Sequence, residues 1–307
     1  MLSPIILFVY KRLWHLQQTI TSLTNNYQAK ESEIYIFSDG PRNKTDNKKV
    51  EEIRTYISTL NGFKKINFIL RPGHLGLANS VISGVSDIIN KYKKVIVVED
   101  DLVTTPNFLT FMNQALDTYK NDKKIFSITG FTYPILIPKT YNEEVYLGYR
   151  ASSWGWGTWR DRWSIVDWKI KDYEQFITDE DAKDKFARGG EDLFAMLDYQ
   201  MKGYIDSWAI RWCYAHYKHD AYCLNPTVSK VKNIGLDRSG THKTKLNLEV
   251  ILDVSGSESF NLPKHAVPNE EILRNFSLYF KKSTKIKILD KLKELVFYYL
   301  KRLNKII

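Results

Sequence analysis

Three consecutive carboxylates, Glu99-Asp100-Asp101, follow directly on the apolar run Val95-Ile96-Val97-Val98. Crowded at the end of a buried strand, they repel one another, and burial disfavours their charged forms. A hard divalent cation relieves both effects. Mn2+ and Mg2+ take oxygen ligands and bridge carboxylates to substrate phosphates. The alternative is a solvated acidic turn ahead of the helix that starts at Pro106, with Thr104 or Thr105 as its cap. Other charged groups stand at the ends of other apolar runs: Lys11 and Arg12 after the first, Asp39 after the second, Arg71 after the third. An acidic metal site ringed by basic groups suits a ligand that carries a pyrophosphate.

A second acidic pair, Glu191-Asp192, follows Gly189-Gly190. It reads either as a helix start favoured by the macrodipole or as a general base. The stretch from Asn233 to His242 holds Gly235 and Gly240, which permit hinge-like backbone angles, and Arg238 and His242, which can reach phosphate or metal. Its alternative is a flexible polar loop. Trp154 and Trp156 lie in a block of aromatics over 146–168. They stack on sugar rings or serve as core, and Gly155 and Gly157 let backbones approach closely there.

These groups need a scaffold, and the first 130 residues supply a regular one. Short apolar runs at 4–9, 33–37, 66–70, 94–98 and 125–128 alternate with helical spacing over 13–23, 50–60, 75–89 and 108–119. That rhythm predicts a parallel α/β sheet covered on both faces. Ligands of such sheets bind beyond the carboxyl ends of the strands, which points to the loops after residues 9, 38, 70 and 98. Beyond residue 130 the pattern becomes irregular and aromatic-rich, with helical spacing over 173–202.

The chain resembles the nucleotide-sugar-dependent glycosyltransferases of GT-A fold, in particular the N-acetylglucosaminyltransferase I type. It also shares the layout of short bacterial family 2-like sugar transferases for surface polysaccharides. The likeness rests on PIILFVYKRLWHLQQTITSL, EIYIFSDG, RPGHLGLANS, YKKVIVVEDDLVTTPNFLTFM, SSWGWGTWRDRW and GGEDLFAM, over about residues 4–215. It implies a Rossmann-like, mostly parallel sheet with helices on both faces, an aromatic-rich acceptor side and inverting transfer from a UDP-sugar to a glycan or lipid-linked acceptor. It further implies Asp101 as the direct ligand of Mn2+ or Mg2+, and Glu99 and Asp100 on the nucleotide and sugar side. Asp39 would meet the uracil-ribose part, Arg12 the donor, and Asp192 or its neighbour Glu191 would be the base. Arg71 and Arg238 are further donor-side candidates, Trp154 and Trp156 acceptor-side candidates, and His242 a second metal-ligand candidate. The organisation expected is a nucleotide-sugar-binding half over 1–130, an acceptor-binding and catalytic half over 131–250, a linker over 251–280 and a basic amphipathic helix over 281–307. A catalytically inactive sugar-binding relative, or a nucleotide-sugar-processing enzyme of another class, is the rival reading.

Composition narrows the classes. The 307 residues carry 45 Lys/Arg and 35 Asp/Glu, a net charge of +10. Nine of the basic residues and two of the acidic ones fall within 281–307. The body is therefore almost balanced, which argues against nucleic acid as the partner. No G-x-G-x-x-G follows the first run and no P-loop occurs, which disfavours dinucleotide oxidoreductases and P-loop enzymes. In 281–307, Leu289, Leu292, Val296, Tyr299, Leu303 and Ile306 form one helical stripe among lysines, a pattern suited to an anionic membrane surface. Two cysteines, a first run without a cationic lead and no run of ~20 apolar residues lead to a cytoplasmic expectation, peripheral on the inner face of the membrane.

Overall fold

A computed structural model describes residues 1–237 and 249–281. Arg238, His242 and the amphipathic segment 282–307 lie outside the described residues. In chain order, β1 (Ile5–Val9), α1 (Leu13–Thr24), β2 (Glu33–Ser38), α2 (Lys44–Ser58), β3 (Lys65–Leu70), α3 (Leu77–Tyr92), β4 (Lys94–Glu99), β5 (Leu102–Thr104), α4 (Phe108–Thr118) and β6 (Ile125–Thr129) make the alternating part. There follow β7 (Val145–Gly148), β8 (Trp156–Trp159), α5 (Arg160–Trp163), α6 (Tyr173–Phe176), α7 (Glu180–Ala187), α8 (Leu193–Met201), α9 (Trp208–Lys218), β9 (Tyr222–Pro226), β10 (Val231–Asn233) and α10 (Glu270–Tyr279).

One eight-stranded sheet, in the order β3-β2-β1-β4-β8-β6-β9-β7, spans both expected halves. The pairs β1–β2, β1–β4, β2–β3 and β6–β9 are parallel, while β8 and β7 run against their neighbours. Six of the strands thus point the same way. The alternation of β1 explains the two-sided cover. Ile5, Leu7 and Val9 pack with Leu16 and Ile20 of α1 and with Phe108 and Met112 of α4. Ile6 and Phe8 pack with Val81, Val85 and Ile88 of α3. Successive strand residues face opposite sides, so an unbroken apolar strand demands helices on both.

The aromatic block divides its roles. Trp156 is fully buried on β8, 4.9 Å from the Trp208 ring and 5.6 Å from that of Trp163. This corrects its expected acceptor role, since a ring enclosed by other indoles has no face left for a sugar. Gly157 behind it is required by space: a Cβ there would stand 2.8 Å from the Val95 carbonyl oxygen. His216 is also core. Its ring nitrogens lie 2.8 Å from Ser127 Oγ and 2.8 Å from the Trp212 carbonyl oxygen, and burial pushes its pKa down to about 4.

The stretch over 251–280 is no linker. Phe260 is buried with its ring 5.2 Å from Phe111, and its backbone exchanges two hydrogen bonds with the Gln114 side chain. Asn269 caps α10 by accepting from Ile272 N at 3.0 Å, and Ile272 and Phe276 bury against Tyr146. No helix among the described residues is long and apolar enough to cross a membrane.

Candidate active site

The parallel strands bring four chain crossings to one sheet edge. Phe8 pairs with Glu99, and Val9 and Leu70 both pair with Ser38. Residues 10–12, Asp39, Arg71 and the acidic triplet therefore leave the sheet side by side. β8 enters at this edge, with Trp156 opposite Thr129, so Trp154 also stands there. Trp154 is half-buried, its ring 4.4 Å from Phe131.

Arg12 is the counter-charge of the acidic group. Its Nη2 pairs with Asp100 Oδ1 and lies 2.8 Å from Asp101 Oδ2. One guanidinium does not balance three carboxylates. Burial and the neighbouring aspartates push the Glu99 carboxyl up, and burial raises Asp100 despite Arg12. Asp101 Oδ1 is buried with no hydrogen-bond partner. An orphaned carboxylate oxygen beside under-compensated acids fits a hard cation that takes its remaining ligands from a bound phosphate. No group of three or more His, Cys, Asp or Glu among the described residues is arranged to hold a metal by itself. Asp101, with Asp100 and Glu99 behind it, would hold such an ion.

The segment after β10 lies over this group. β10 pairs antiparallel with β5, and Ile234 N donates to the Asp101 carbonyl at 2.8 Å. Gly235 packs so closely that a Cβ would stand 2.1 Å from Asp101 Oδ2 and 2.7 Å from Arg12 Nη1. Glycine at this position lets the backbone approach the Asp101 and Arg12 side chains closely. Asp237 Oδ2 lies 3.1 Å from His15 Nε2, tying the segment to α1.

Asp39 is placed at the edge, yet its carboxylate is spent on its own chain. Oδ1 accepts from Gly40 N at 3.1 Å and Leu75 N at 2.9 Å, and Oδ2 from Gly76 N at 3.1 Å. His74 Nδ1 stands 2.8 Å from Oδ2 without the alignment of a hydrogen bond. In this arrangement Asp39 shapes the loop after β3, and Gly40 lies so near Gly73 that a Cβ would meet its carbonyl carbon at 2.5 Å. Arg71 needs correction as a donor-binding group. Its guanidinium donates to Ser80 Oγ at 2.5 Å and Ser83 Oγ at 2.9 Å, and lies over the Phe37 ring. It fastens α3 to the end of β3.

The second acidic pair belongs to a separate cluster. Asp192 precedes α8 and is gripped by Arg150: Nη1 to Oδ1 at 2.8 Å and Nη2 to Oδ2 at 2.9 Å. Glu191 is half-buried beside it. A run of ring contacts links this cluster to the sheet edge, from Trp154 through Phe131 and Tyr133 to Phe280, 4.3 Å from the Arg150 guanidinium. Sequence reasoning missed Arg150, 42 positions from its partner, and the His15–Asp237 tie. No local signal marks either pair. It also missed Asp46, which accepts from Tyr10 Oη at 2.7 Å and Lys11 Nζ at 2.8 Å, so that Lys11 is engaged on α2.

No protein-family model and no curated protein matches the chain. Among solved structures, the chain is similar to mannosyltransferase PcManGT from Pyrobaculum calidifontis in complex with GDP-Man and Mn2+, at 10% identity over 54% of this chain and 46% of that one, with a TM-score of 0.39. It is also similar to TarS 1–349 of S. aureus, at 10% identity over 77% and 61%, with a TM-score of 0.43. A longer S. aureus TarS gives 11% over 55% and 30%, with a TM-score of 0.36. The chain spans less than two thirds of the length of each. At such TM-scores the likeness decides nothing about the chemistry, which rests on the residues themselves.

Proposed function

We propose that this protein is an inverting nucleotide-sugar glycosyltransferase that takes its donor at the sheet edge around Asp101. The observation that carries the reading is the acidic triplet at the end of β4, under-compensated by Arg12, with an Asp101 oxygen buried and unpaired. The GT-A resemblance of the sequence supports a UDP-sugar as donor and a glycan or lipid-linked acceptor hydroxyl. A bound Mn2+ or Mg2+ supplies charge neutralisation for the diphosphate. Arg12 holds Asp100 and Asp101 in place and adds positive charge on the donor side. Trp154 offers an apolar ring on the acceptor side. Asp192, with Glu191 as the alternative, takes the proton of the acceptor hydroxyl while its oxygen bonds to the anomeric carbon. The bond from that carbon to the phosphate oxygen breaks, its electron pair leaves with the nucleoside diphosphate, and the configuration inverts.

A thermal-shift screen of nucleotide sugars with and without Mn2+ tests the donor side. A ligand at a hundred times its Kd stabilises by about 2.7 kcal/mol, several degrees of melting temperature. UDP-sugar with Mn2+ is expected to raise the melting temperature of the parent by that amount and to leave Asp101→Ala unmoved. An equal shift in Asp101→Ala would remove Asp101 from metal binding. No shift with any nucleotide sugar would remove the function.

The same reading gives 281–307 the task of holding the enzyme on an anionic membrane. Exposed Leu136, Leu278 and Tyr279 lie where the described chain ends, and the Asn275 side chain on α10 donates to the Leu136 carbonyl. The full chain is expected to co-sediment with phosphatidylglycerol vesicles and a 282–307 deletion to stay in the supernatant. Equal sedimentation of the two would end that assignment.

A further inference from the structure

Arg150 is built into the protein in a way that a surface salt bridge is not. It follows β7, and only about an eighth of its side chain is exposed. Four groups from three parts of the chain converge on its guanidinium. Asp192 accepts through both carboxylate oxygens, at 2.8 and 2.9 Å. Phe280, just past α10, covers one face at 4.3 Å. The Tyr133 side chain interacts with it electrostatically, and the Gly189 carbonyl accepts from Nη1 at 3.4 Å.

Gly190 completes the enclosure. Its φ of +137° disfavours any side chain, and a Cβ would stand 2.6 Å from Asp192 Oδ1, 2.8 Å from Arg150 Nη1 and 3.1 Å from Phe280 Cβ. A planar fork against a carboxylate fixes both the position and the plane of that carboxylate. Each oxygen of Asp192 spends one lone pair on Arg150 and keeps another. The free lone pairs then have a defined direction, as a proton acceptor requires.

We propose that Arg150 is the positioning residue of Asp192, and that Phe280, just past α10, locks it in place. The inference rests on the reading of Asp192 as the base. It makes α10 part of the working enzyme: removing Phe280 frees the face of the guanidinium and loosens the carboxylate. Lysine cannot replace Arg150 fully, because a single ammonium fixes no plane.

The test measures UDP release from UDP-glucose and UDP-N-acetylglucosamine with Mn2+, with water as acceptor, since water too must yield a proton. Arg150→Ala is expected to lower kcat about 100-fold, with the donor KM within about threefold of the parent. Guanidinium chloride at about 50 mM is expected to restore at least about a tenth of the lost rate, as it supplies the missing fork. Arg150→Lys should fall between parent and Arg150→Ala, and Phe280→Ala should lower kcat without changing donor-induced thermal stabilisation. Parental kcat in Arg150→Ala, with Asp192→Asn inactive, overturns the positioning role and spares the base. A loss in Arg150→Ala that guanidinium does not rescue, with melting temperature and KM both altered, marks a purely structural residue and overturns it as well. Parental turnover in Asp192→Asn overturns the base reading, and this one with it.

Discussion

Asp192→Asn is expected to lose turnover by about 10³-fold while keeping the donor-dependent thermal shift, because a positioned general base contributes about 10²–10⁴-fold. The substitution keeps the shape of the side chain and removes its capacity to take a proton. It also turns an amide N–H₂ towards one arm of the Arg150 fork, where the carboxylate accepted at 2.9 Å or less. Losing one of the two charge-assisted bonds is expected to cost about 1–3 kcal/mol, which melting in the absence of ligand reports separately. Chemistry and stability are thereby read by different measurements. Parental release of UDP from UDP-glucose or UDP-N-acetylglucosamine by Asp192→Asn would move the base to Glu191 or elsewhere, and Glu191→Gln is the variant that follows.

Lys230→Met is expected to destabilise the protein by about 3–5 kcal/mol, the usual cost of leaving one partner of a buried ion pair alone. Lys230 and Asp253 are both over nine-tenths buried and paired, with Asn107 Nδ2 also donating to Asp253 at 2.9 Å. The ammonium lies 4.9 Å from the Phe260 ring centroid. Burial alone would raise the Asp253 carboxyl, but hydrogen bonds from Lys230, Ser255 and Asn107 outweigh it and hold the group well below the usual carboxylate range. The double variant Lys230→Met/Asp253→Leu should recover most of the loss, since no charge is then buried unpaired. The pair also bears on the site. Lys230 N donates to the Gly130 carbonyl, and Thr105 N to that of Lys230, just where the chain enters β10 and crosses above Asp101. Lys230→Met should therefore weaken donor-induced stabilisation as well as the fold. A single variant that melts within about 1 kcal/mol of the parent would deny the pair its structural weight.

The alternating half of the molecule was legible because its signals are local. β1, β2, β3, β4 and β6 appear within a residue or two of the apolar runs, and α3 begins two residues later than its periodicity suggests, at the positive-φ Gly76. The acidic triplet was legible for the same reason: its three members are neighbours in the chain, and any strand that buries Val95 to Val98 must deliver them to one edge.

The aromatic half was not legible. β7, β8 and β9 complete the sheet, yet each is a strand of four or five residues whose partners lie far away in the chain. Trp154 and Trp156 are equally apolar and two positions apart, and only the antiparallel pairing of β8 with β4 and β6 sends one to the rim and the other into the core. Asp39 and Arg71 show the converse limit. Their place at the strand ends follows from the pattern, but their partners, the backbone N–H groups of the loop after β3 and the serines of α3, depend on how loop and helix dock.

By itself, then, the sequence determined the strand–helix rhythm, the edge to which the chemistry is carried and the acidic cluster that occupies it. The tertiary structure alone decided which charges are spoken for: Arg12 on Asp100 and Asp101, Arg71 on α3, Arg150 on Asp192 beneath Phe280. The physical reason is one of range. Periodicity and strand-end placement are set by neighbouring residues, whereas an ion pair is chosen by whatever the folded chain brings within about 4 Å, and no short stretch of sequence carries that information.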